Sequence, residues 1–176
     1  MEHWYVLHTI PGKEQAALEL LERAVDPNLW SQCQIPKKLK VFRSGGLLHL
    51  VEDVMFKGYL FIRTVDAKTL SKELDKAKKF PQFIGETKES ITSVEEADLH
   101  FLQDVCGEDL KQTMGLTRII LNERNQIIRA EGILEHYQNR IVKLNLHKRY
   151  AVVNVELFNR NQPVLFGLCL EQDQAV

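Results

Sequence analysis

The residues best suited to binding chemistry are basic side chains that cluster near the end of the chain. His147, Lys148 and Arg149 are consecutive, and they lie in the segment RIVKLNLHKRYAVVNVELFNR, residues 140–160. Alternating apolar residues on both sides predict two strands, so the three bases would share the turn between them. A guanidinium fork suits phosphate groups and guanine edges, whereas lysine supplies mainly charge. The cluster is either the solvated turn of a small sheet or a surface that contacts nucleic acid.

Two further observations favour nucleic acid. Tyr137 and Tyr150 lie close to these bases, and their rings could stack on unpaired nucleotides. The charge is also uneven, because residues 1–110 hold 14 Lys and Arg against 18 Asp and Glu, whereas residues 122–170 hold 7 against 4. The candidate contact residues of this segment are Arg140, Lys143, His147, Lys148, Arg149 and Arg160.

The sequence predicts no catalytic or metal site. It contains no GxxxxGK[ST] phosphate loop, no GxSxG nucleophile turn and no HExxH helix, and its six histidines are scattered. Cys33, Cys106 and Cys169 have no CxxC spacing, which indicates buried thiols in a reducing compartment. No apolar run approaches the roughly 20 residues that span a bilayer, and the start resembles no export signal. We therefore expect a cytoplasmic, non-enzymatic protein without a cofactor or membrane contact.

The first part of the chain predicts a sheet flanked by helices. WYVLHTI, which Pro11 ends, and MFKGYLFIRTV have the β-branched and aromatic composition of strands. Ser44-Gly45-Gly46 separates CQIPKKLKVF from LLHLVEDV and predicts a hairpin. Helical spacing of apolar residues appears in KEQAALELLERAV, DAKTLSKELDKAKKF and VEEADLHFLQDVCG. The fold class is therefore α+β, with an α/β sandwich built on one sheet.

The last part of the chain predicts a small β-barrel. Five short strand candidates follow one another at regular spacing: TRIILNE, QIIRAEG, NRIVKLN, YAVVNVEL and PVLFGLCL. We place the first domain at residues 1–108, a linker at 109–120 and the barrel at 121–176.

Three segments resemble the NusG family in the right order. WYVLHTIPGKEQAALELL is similar to the start of the N-terminal NGN domain of that family, and MFKGYLFIR is similar to its F-P-G-Y strand. EGILEHYQNRIVKLNLHKRYAVVNVELFNR resembles its C-terminal KOW motif, an SH3-like barrel. The resemblance covers nearly the whole chain, and it implies an antiparallel NGN sheet flanked by helices followed by the barrel.

The departures from the family pattern suggest a specialised paralogue. Lys57 replaces the proline before Gly58, and Ile133 replaces the proline of the KOW motif. Asn139 and Asn159 replace two glycines of the family pattern. Of the residues other than glycine, asparagine tolerates a left-handed backbone best. These features are most similar to LoaP-type paralogues, an antiterminator branch of the family.

The resemblance implies a monomeric transcription factor that binds RNA polymerase. Its NGN domain would dock an apolar patch on the clamp helices of the polymerase large subunit and favour processive elongation. By position, the patch would consist of Trp4, Phe56, Tyr59 and Ile84. On composition alone all four could instead be core residues, and Phe56 and Tyr59 share a face only if Gly58 distorts the strand.

The KOW barrel would recruit a second macromolecule. A structured nascent RNA would make the protein a processive antiterminator, whereas a ribosomal protein or a termination factor would make it a protein–protein adaptor. A second basic stretch on the predicted hairpin could contact the same RNA or the non-template DNA strand, or simply be solvated. It consists of Lys37, Lys38, Lys40 and Arg43.

Overall fold

The structure is a computed structural model that describes residues 1–84 and 90–173. Its contacts divide the chain into two compact units. The first comprises Met1–Pro36, Phe56–Gln103 and Glu108–Lys111, and the second comprises Lys37–Met55, Asp104–Gly107 and Gln112–Val176. The helices of the described part are α1 (Glu14–Ala24), α2 (Ala67–Leu74) and α3 (Glu96–Cys106).

The first unit is built on a four-stranded antiparallel sheet. Its strands are β1 (His3–His8), β2 (Gln32–Gln34), β5 (Tyr59–Thr64) and β6 (Gln82–Phe83), in the spatial order β2-β5-β1-β6. The remaining strands of the chain are β3 (Lys37–Ser44), β4 (Leu47–Val54), β7 (Thr117–Leu121), β8 (Ile127–Ala130), β9 (Ile141–Asn145), β10 (Tyr150–Leu157) and β11 (Arg160–Leu170).

Apolar side chains of the helices complete the core of the first unit. Ala17 and Leu21 lie one turn apart on α1 and are buried, as helical spacing predicts. Leu70 and Leu74 are the corresponding buried pair on α2. Leu7 and Leu60 are register partners on β1 and β5, and neither is exposed. The helix predicted over DAKTLSKELDKAKKF is shorter than expected, since α2 ends at Leu74.

A buried carboxylate connects the start of α1 to the strand β5. Glu14 Oε1 accepts hydrogen bonds from the backbone N–H groups of Gly58, at 2.5 Å, and Gly12, at 3.0 Å. Gly58 has a φ of +84°, and a Cβ atom there would lie 2.9 Å from the carbonyl oxygen of Thr9. This position therefore requires glycine for both its backbone conformation and its close packing.

We expect Glu14→Gln to destabilise the protein and to flatten its acid denaturation. Burial acts to raise the pKa of Glu14, but the N–H groups of Gly58 and Gly12 outweigh it and hold that pKa below its ordinary value. The stabilisation is thus fully present above the ordinary glutamate pKa of about 4.3 and is lost as the pH falls through the lowered folded value. Urea denaturation between neutral and acid pH measures it. Glu22→Gln, an exposed change on the same helix, is the matched control. An equal loss of unfolding free energy in both variants would contradict the stabilising role of the Glu14 carboxylate.

The second unit contains a curled five-stranded sheet in the order β8-β7-β11-β10-β9. All five predicted strands are present, and a 3₁₀ segment, Gly132–Arg140, connects β8 to β9. Val153, Val155 and Leu157 point to the buried face of β10, as the alternation predicts. The predicted fold class, an α+β chain with an SH3-like C-terminal barrel, is confirmed.

The two asparagines at family glycine positions differ in conformation. Asn159 has a φ of +57° in the turn between β10 and β11, and the preceding Phe158 has a φ of +56°. Asn159 therefore does replace glycine in a left-handed turn, as expected. Asn139 instead lies within the 3₁₀ segment without a positive φ.

The β3–β4 hairpin groups with the second unit. Leu39 N donates to Met114 O at 2.7 Å, and Met114 N donates to Lys37 O at 2.9 Å. The hairpin backbone also passes directly over Gly167 of β11, where a Cβ atom would lie 2.5 Å from Leu39 O. The hairpin itself is confirmed, but these contacts place it outside the compact unit that contains β1 and β5. Strand β7 also begins at Thr117, inside the segment predicted as a linker.

Candidate functional site

The turn between β9 and β10 presents two basic side chains to solvent. His147 and Lys148 are exposed at its tip, and Lys148 N donates to Asn145 Oδ1 at 2.9 Å, which fixes the turn. Within the described residues, the Lys148 side chain has no ion-pair partner. These two bases therefore share an exposed turn, and their contact with nucleic acid stays a prediction.

Arg149 does not belong to the exposed cluster, which corrects the prediction. Arg149 is only 8% exposed. Its guanidinium forms a bidentate pair with the carboxylate of Asp173, in which Nε donates to Oδ2 and Nη2 donates to Oδ1 at 2.6 Å. It also donates to the carbonyl oxygen of Leu146. Hydrogen bonds from Arg149 hold the pKa of Asp173 below its ordinary value against the opposing effect of burial. Arg149 is thus a structural residue that closes the turn onto the C-terminal segment.

Two further bases pair with tyrosine rings. The guanidinium of Arg140 lies 5.7 Å from the ring centre of Tyr137, and the ammonium of Lys143 lies 5.7 Å from that of Tyr150. The hydrogen bond from Lys143 is the main effect that lowers the pKa of Tyr150. Both bases are exposed, so these cation–π pairs present charge and an aromatic surface together.

The hairpin bases are largely neutralised by acids on β4. Lys37 pairs with Glu52 at 3.3 Å, and Lys40 pairs with Asp53 at 2.7 Å. Lys38 is buried and donates to Val54 O at 3.4 Å, so it is unavailable to a ligand. The prediction that this stretch is uniformly a contact surface is therefore corrected, and Arg43 is the base that lacks an ion pair within the described residues.

The two basic stretches meet at one cleft, although more than 100 residues separate them in the sequence. This cleft lies within the second unit and has a volume of about 380 Å³. Its bases come from the hairpin and from the β9–β10 turn, and Phe42 and Tyr150 add two aromatic rings. The full lining is Lys40, Val41, Phe42, Arg43, His147, Lys148, Tyr150 and Leu165.

Arg160 lies away from this cleft. It follows the turn at the far end of β10 from Tyr150, and the eight residues of that strand span about 25 Å. Arg160 is exposed, but it cannot share a small ligand with His147 or Lys148.

Two of the four residues predicted to bind polymerase are buried. Trp4 is 5% exposed and Phe56 is 6% exposed, with the Phe56 ring centre 6.1 Å from that of Phe61. They belong to the core, so the exposed patch cannot include them as predicted. Phe56 precedes β5 instead of lying on it, so strand alternation does not set its direction, and its ring packs against Phe61, which shares a sheet face with Tyr59.

Tyr59 and Ile84 lie on one face of the first sheet. Tyr59 pairs with His8 on β1, and Ile84 N donates to Val6 O, so alternation directs all three of Tyr59, His8 and Ile84 to the same side. His8 is exposed, Ile84 is 38% exposed and Tyr59 is half-buried. The His8 ring packs edge-on against Tyr59 at 6.3 Å. The predicted patch does not include His8, although strand alternation alone puts it on the same face as Trp4.

The described residues show no alternative site for metal or thiol chemistry. No group of three or more potential ligands is close enough to hold a metal within residues 1–84 and 90–173. Burial raises the pKa of the Cys33 thiol to about 12 and that of Cys106 to about 11, which makes both poor nucleophiles. None of the helices described is long and apolar enough to cross a membrane.

Comparison with known proteins identifies the family. A sequence model described as "Transcription termination factor nusG" matches residues 2–103, more than half of the chain. The chain belongs to the NusG family. The transcription termination/antitermination protein NusG of Helicobacter pylori strain 26695 is 26% identical over 172 residues, which cover 93% of this chain and 94% of the relative. NusG of Thermus thermophilus is 25% identical over 171 residues, with 92% of each chain covered.

A solved structure, "Domain interaction in Thermotoga maritima NusG", supports the same fold. It superimposes with a TM-score of 0.52 at 16% identity, and the match covers 95% of this chain and 94% of that one. The family model and the curated relatives, which span nearly the whole chain, identify the protein as a NusG-like transcription termination and antitermination factor. The resemblance inferred from the sequence is confirmed at the level of the family, while the LoaP-type specialisation stays a prediction.

Proposed function

We propose that this NusG-family protein is a processive antitermination factor that binds RNA polymerase and a structured nascent RNA. The observation that carries the RNA part is the convergence of two separate basic stretches on one aromatic-lined cleft. The protein would act as a monomer in the cytoplasm, as a specialised LoaP-type paralogue, and without a cofactor.

The polymerase contact is assigned to the sheet face of Tyr59, His8 and Ile84. An apolar surface with a polar rim is typical of a partner site, and these residues combine a tyrosine, an aliphatic side chain and an exposed imidazole. Tyr59 on β5 and Ile84, which directly follows β6, are separated by two strand spacings across the sheet, about 10 Å, which suits contact with one helix of a partner. Trp4 and Phe56 lie on the same side of the sheet but are buried, so they would pack beside this surface rather than form part of it.

The RNA contact is assigned to the exposed bases of the second unit. Lys148, His147 and Arg43 line the cleft, and further exposed positive charge comes from Lys143 on β9 and from Arg140, which directly precedes that strand. A small number of such phosphate contacts gives an affinity that falls steeply with salt. Joining a weak RNA contact to a polymerase contact raises the effective concentration of each, so transcripts that carry the element would respond most strongly.

A protein–protein adaptor is the second candidate. Phe42, Leu47 and Leu50 are exposed on the hairpin, and this apolar surface could bind a ribosomal protein or a termination factor without RNA. The non-template DNA strand is a further candidate partner for the hairpin bases.

Selection of RNA from a genomic pool at physiological salt separates these functions. Recovery of one structured element, at an affinity well above that for bulk RNA, is expected for the antiterminator. Equal recovery of all RNA, together with tight binding of a ribosomal protein or a termination factor, would favour the adaptor.

A further inference from the structure

The cleft of the second unit has the size of a small-ligand site. Its volume of about 380 Å³ lies at the lower end of the roughly 300–1,000 Å³ of small-molecule pockets. A nucleic-acid duplex is far too wide to enter a space of this size, whereas one nucleotide is not. The cleft therefore suits a single group that projects from a larger ligand.

The floor and walls of the cleft are apolar and aromatic. Tyr150 and Leu165 belong to the outer faces of β10 and β11, since alternation directs Ala151, Val164 and Phe166 to the core. Phe42 on the hairpin is 56% exposed, so its ring is free to contact a ligand. Lys143 lies over the Tyr150 ring, and its charge would also attract a phosphate.

Positive charge and one unpaired donor surround this apolar space. Arg43 Nε is buried and has no hydrogen-bond partner within the described residues. Arg43 also lines the cleft, so a ligand phosphate beside its guanidinium would be favoured by the positive charge. Lys148 and His147 line the same cleft, and neither forms an ion pair within the described residues. Lys40, in contrast, is already paired with Asp53. Asp173 interacts electrostatically with Arg43, but its carboxylate is bound by Arg149.

We propose that this cleft binds one unpaired nucleotide of the RNA, and this inference rests on the proposed RNA-binding function. The base stacks on Phe42 in the apolar part, and Arg43 and Lys148 hold the adjacent phosphate. Stacking on aromatic rings is available to every base, while a phosphate matches the positive charges of Arg43 and Lys148. An acidic peptide would meet the same charges but would leave the aromatic floor without a matching group.

Gly167 allows the hairpin backbone to approach the sheet closely beside the cleft. Because the hairpin backbone crosses β11 directly above this residue, Gly167→Ala would push Leu39 and Lys40 away from the sheet. Such a variant changes the shape of the cleft without removing any residue that lines it. It therefore tests the geometry separately from the charges.

The experiment uses the full chain and the RNA recovered by selection, in three forms. One is the intact RNA, one has its unpaired nucleotides closed into a duplex, and one carries abasic sites at those nucleotides. The protein variants are Phe42→Ala, Gly167→Ala and, as a matched control, Leu47→Ala, which is exposed on the same hairpin but does not line the cleft. Thermal melting followed by circular dichroism checks that each variant is folded.

The proposal predicts that abasic substitution and Phe42→Ala each weaken binding by about fivefold to 150-fold, the range measured for the loss of one stacked base. Gly167→Ala should weaken binding of the intact RNA but not of its fully paired form. Leu47→Ala should leave the affinity for both forms unchanged. Equal affinity for the intact, paired and abasic forms, all weakened by Lys148→Glu, would overturn the nucleotide site while leaving the RNA-binding function in place. If no RNA of any form binds, both proposals are wrong.

Discussion

Replacing Arg149 by alanine is expected to destabilise the protein by about 3–5 kcal/mol, the usual cost of removing one partner of a buried ion pair. The change would leave the carboxylate of Asp173, which is also buried, without its bidentate partner. The carbonyl oxygen of Leu146 would lose a donor at the same time. Chemical denaturation with urea measures the loss directly.

Lys148→Ala is the matched control, because Lys148 is the adjacent residue and is exposed. It should change the free energy of unfolding by less than about 0.5 kcal/mol, as other surface substitutions do, but it should weaken RNA binding. The pattern would be contradicted if Arg149→Ala retained wild-type stability and lost only RNA affinity. In that case Arg149 would be a contact residue, as its position in the sequence first suggested.

Phe56→Ala and Tyr59→Ala are expected to act in different ways although they lie three residues apart. Phe56 is core, so its truncation should cost about 3–5 kcal/mol of stability, as buried Phe→Ala changes typically do. Tyr59 lies at the surface beside His8, so Tyr59→Ala should leave the protein folded. It should, however, strongly reduce co-purification with RNA polymerase.

The two measurements are the urea midpoint and the amount of polymerase recovered on the immobilised protein. Ile10→Ala, an exposed apolar change in the same unit, serves as the control for nonspecific loss of apolar surface. Undiminished polymerase recovery with folded Tyr59→Ala would remove Tyr59 from the proposed surface. A stable, folded Phe56→Ala variant would show that Phe56 is not a core residue.

The fold could be predicted from the sequence where local patterns and burial agree. Ala17 and Leu21 repeat at helical spacing, and Val153, Val155 and Leu157 alternate, so both periods indicated the correct elements and core faces. The hairpin was indicated by Gly45 and Gly46, which both have positive φ. The predicted length of α2 was too great because Ala77 continues the helical spacing of Leu70 and Leu74, whereas the helix ends at Leu74.

The site could be predicted only in part, because composition does not reveal partners that are distant in the chain. Arg149 is indistinguishable from Lys148 in the sequence, and only its pairing with Asp173, 24 residues later, makes it structural. Trp4 and Phe56 were assigned to a surface by family position, but the packing of Phe56 on Phe61 buries it. The approach of the hairpin to Gly167 depends on a long-range contact, so the cleft itself could not be foreseen.

The most direct test of the central proposal is the salt dependence of binding to the selected RNA, for the wild-type protein and for Lys148→Glu. If the exposed bases of the second unit hold phosphates, the logarithm of the association constant falls linearly with the logarithm of the salt concentration. Lys148→Glu should then weaken binding and reduce the magnitude of that slope by about 1, the amount expected for the loss of one phosphate contact. An unchanged affinity and an unchanged slope in the folded variant would contradict the assignment of this surface to RNA.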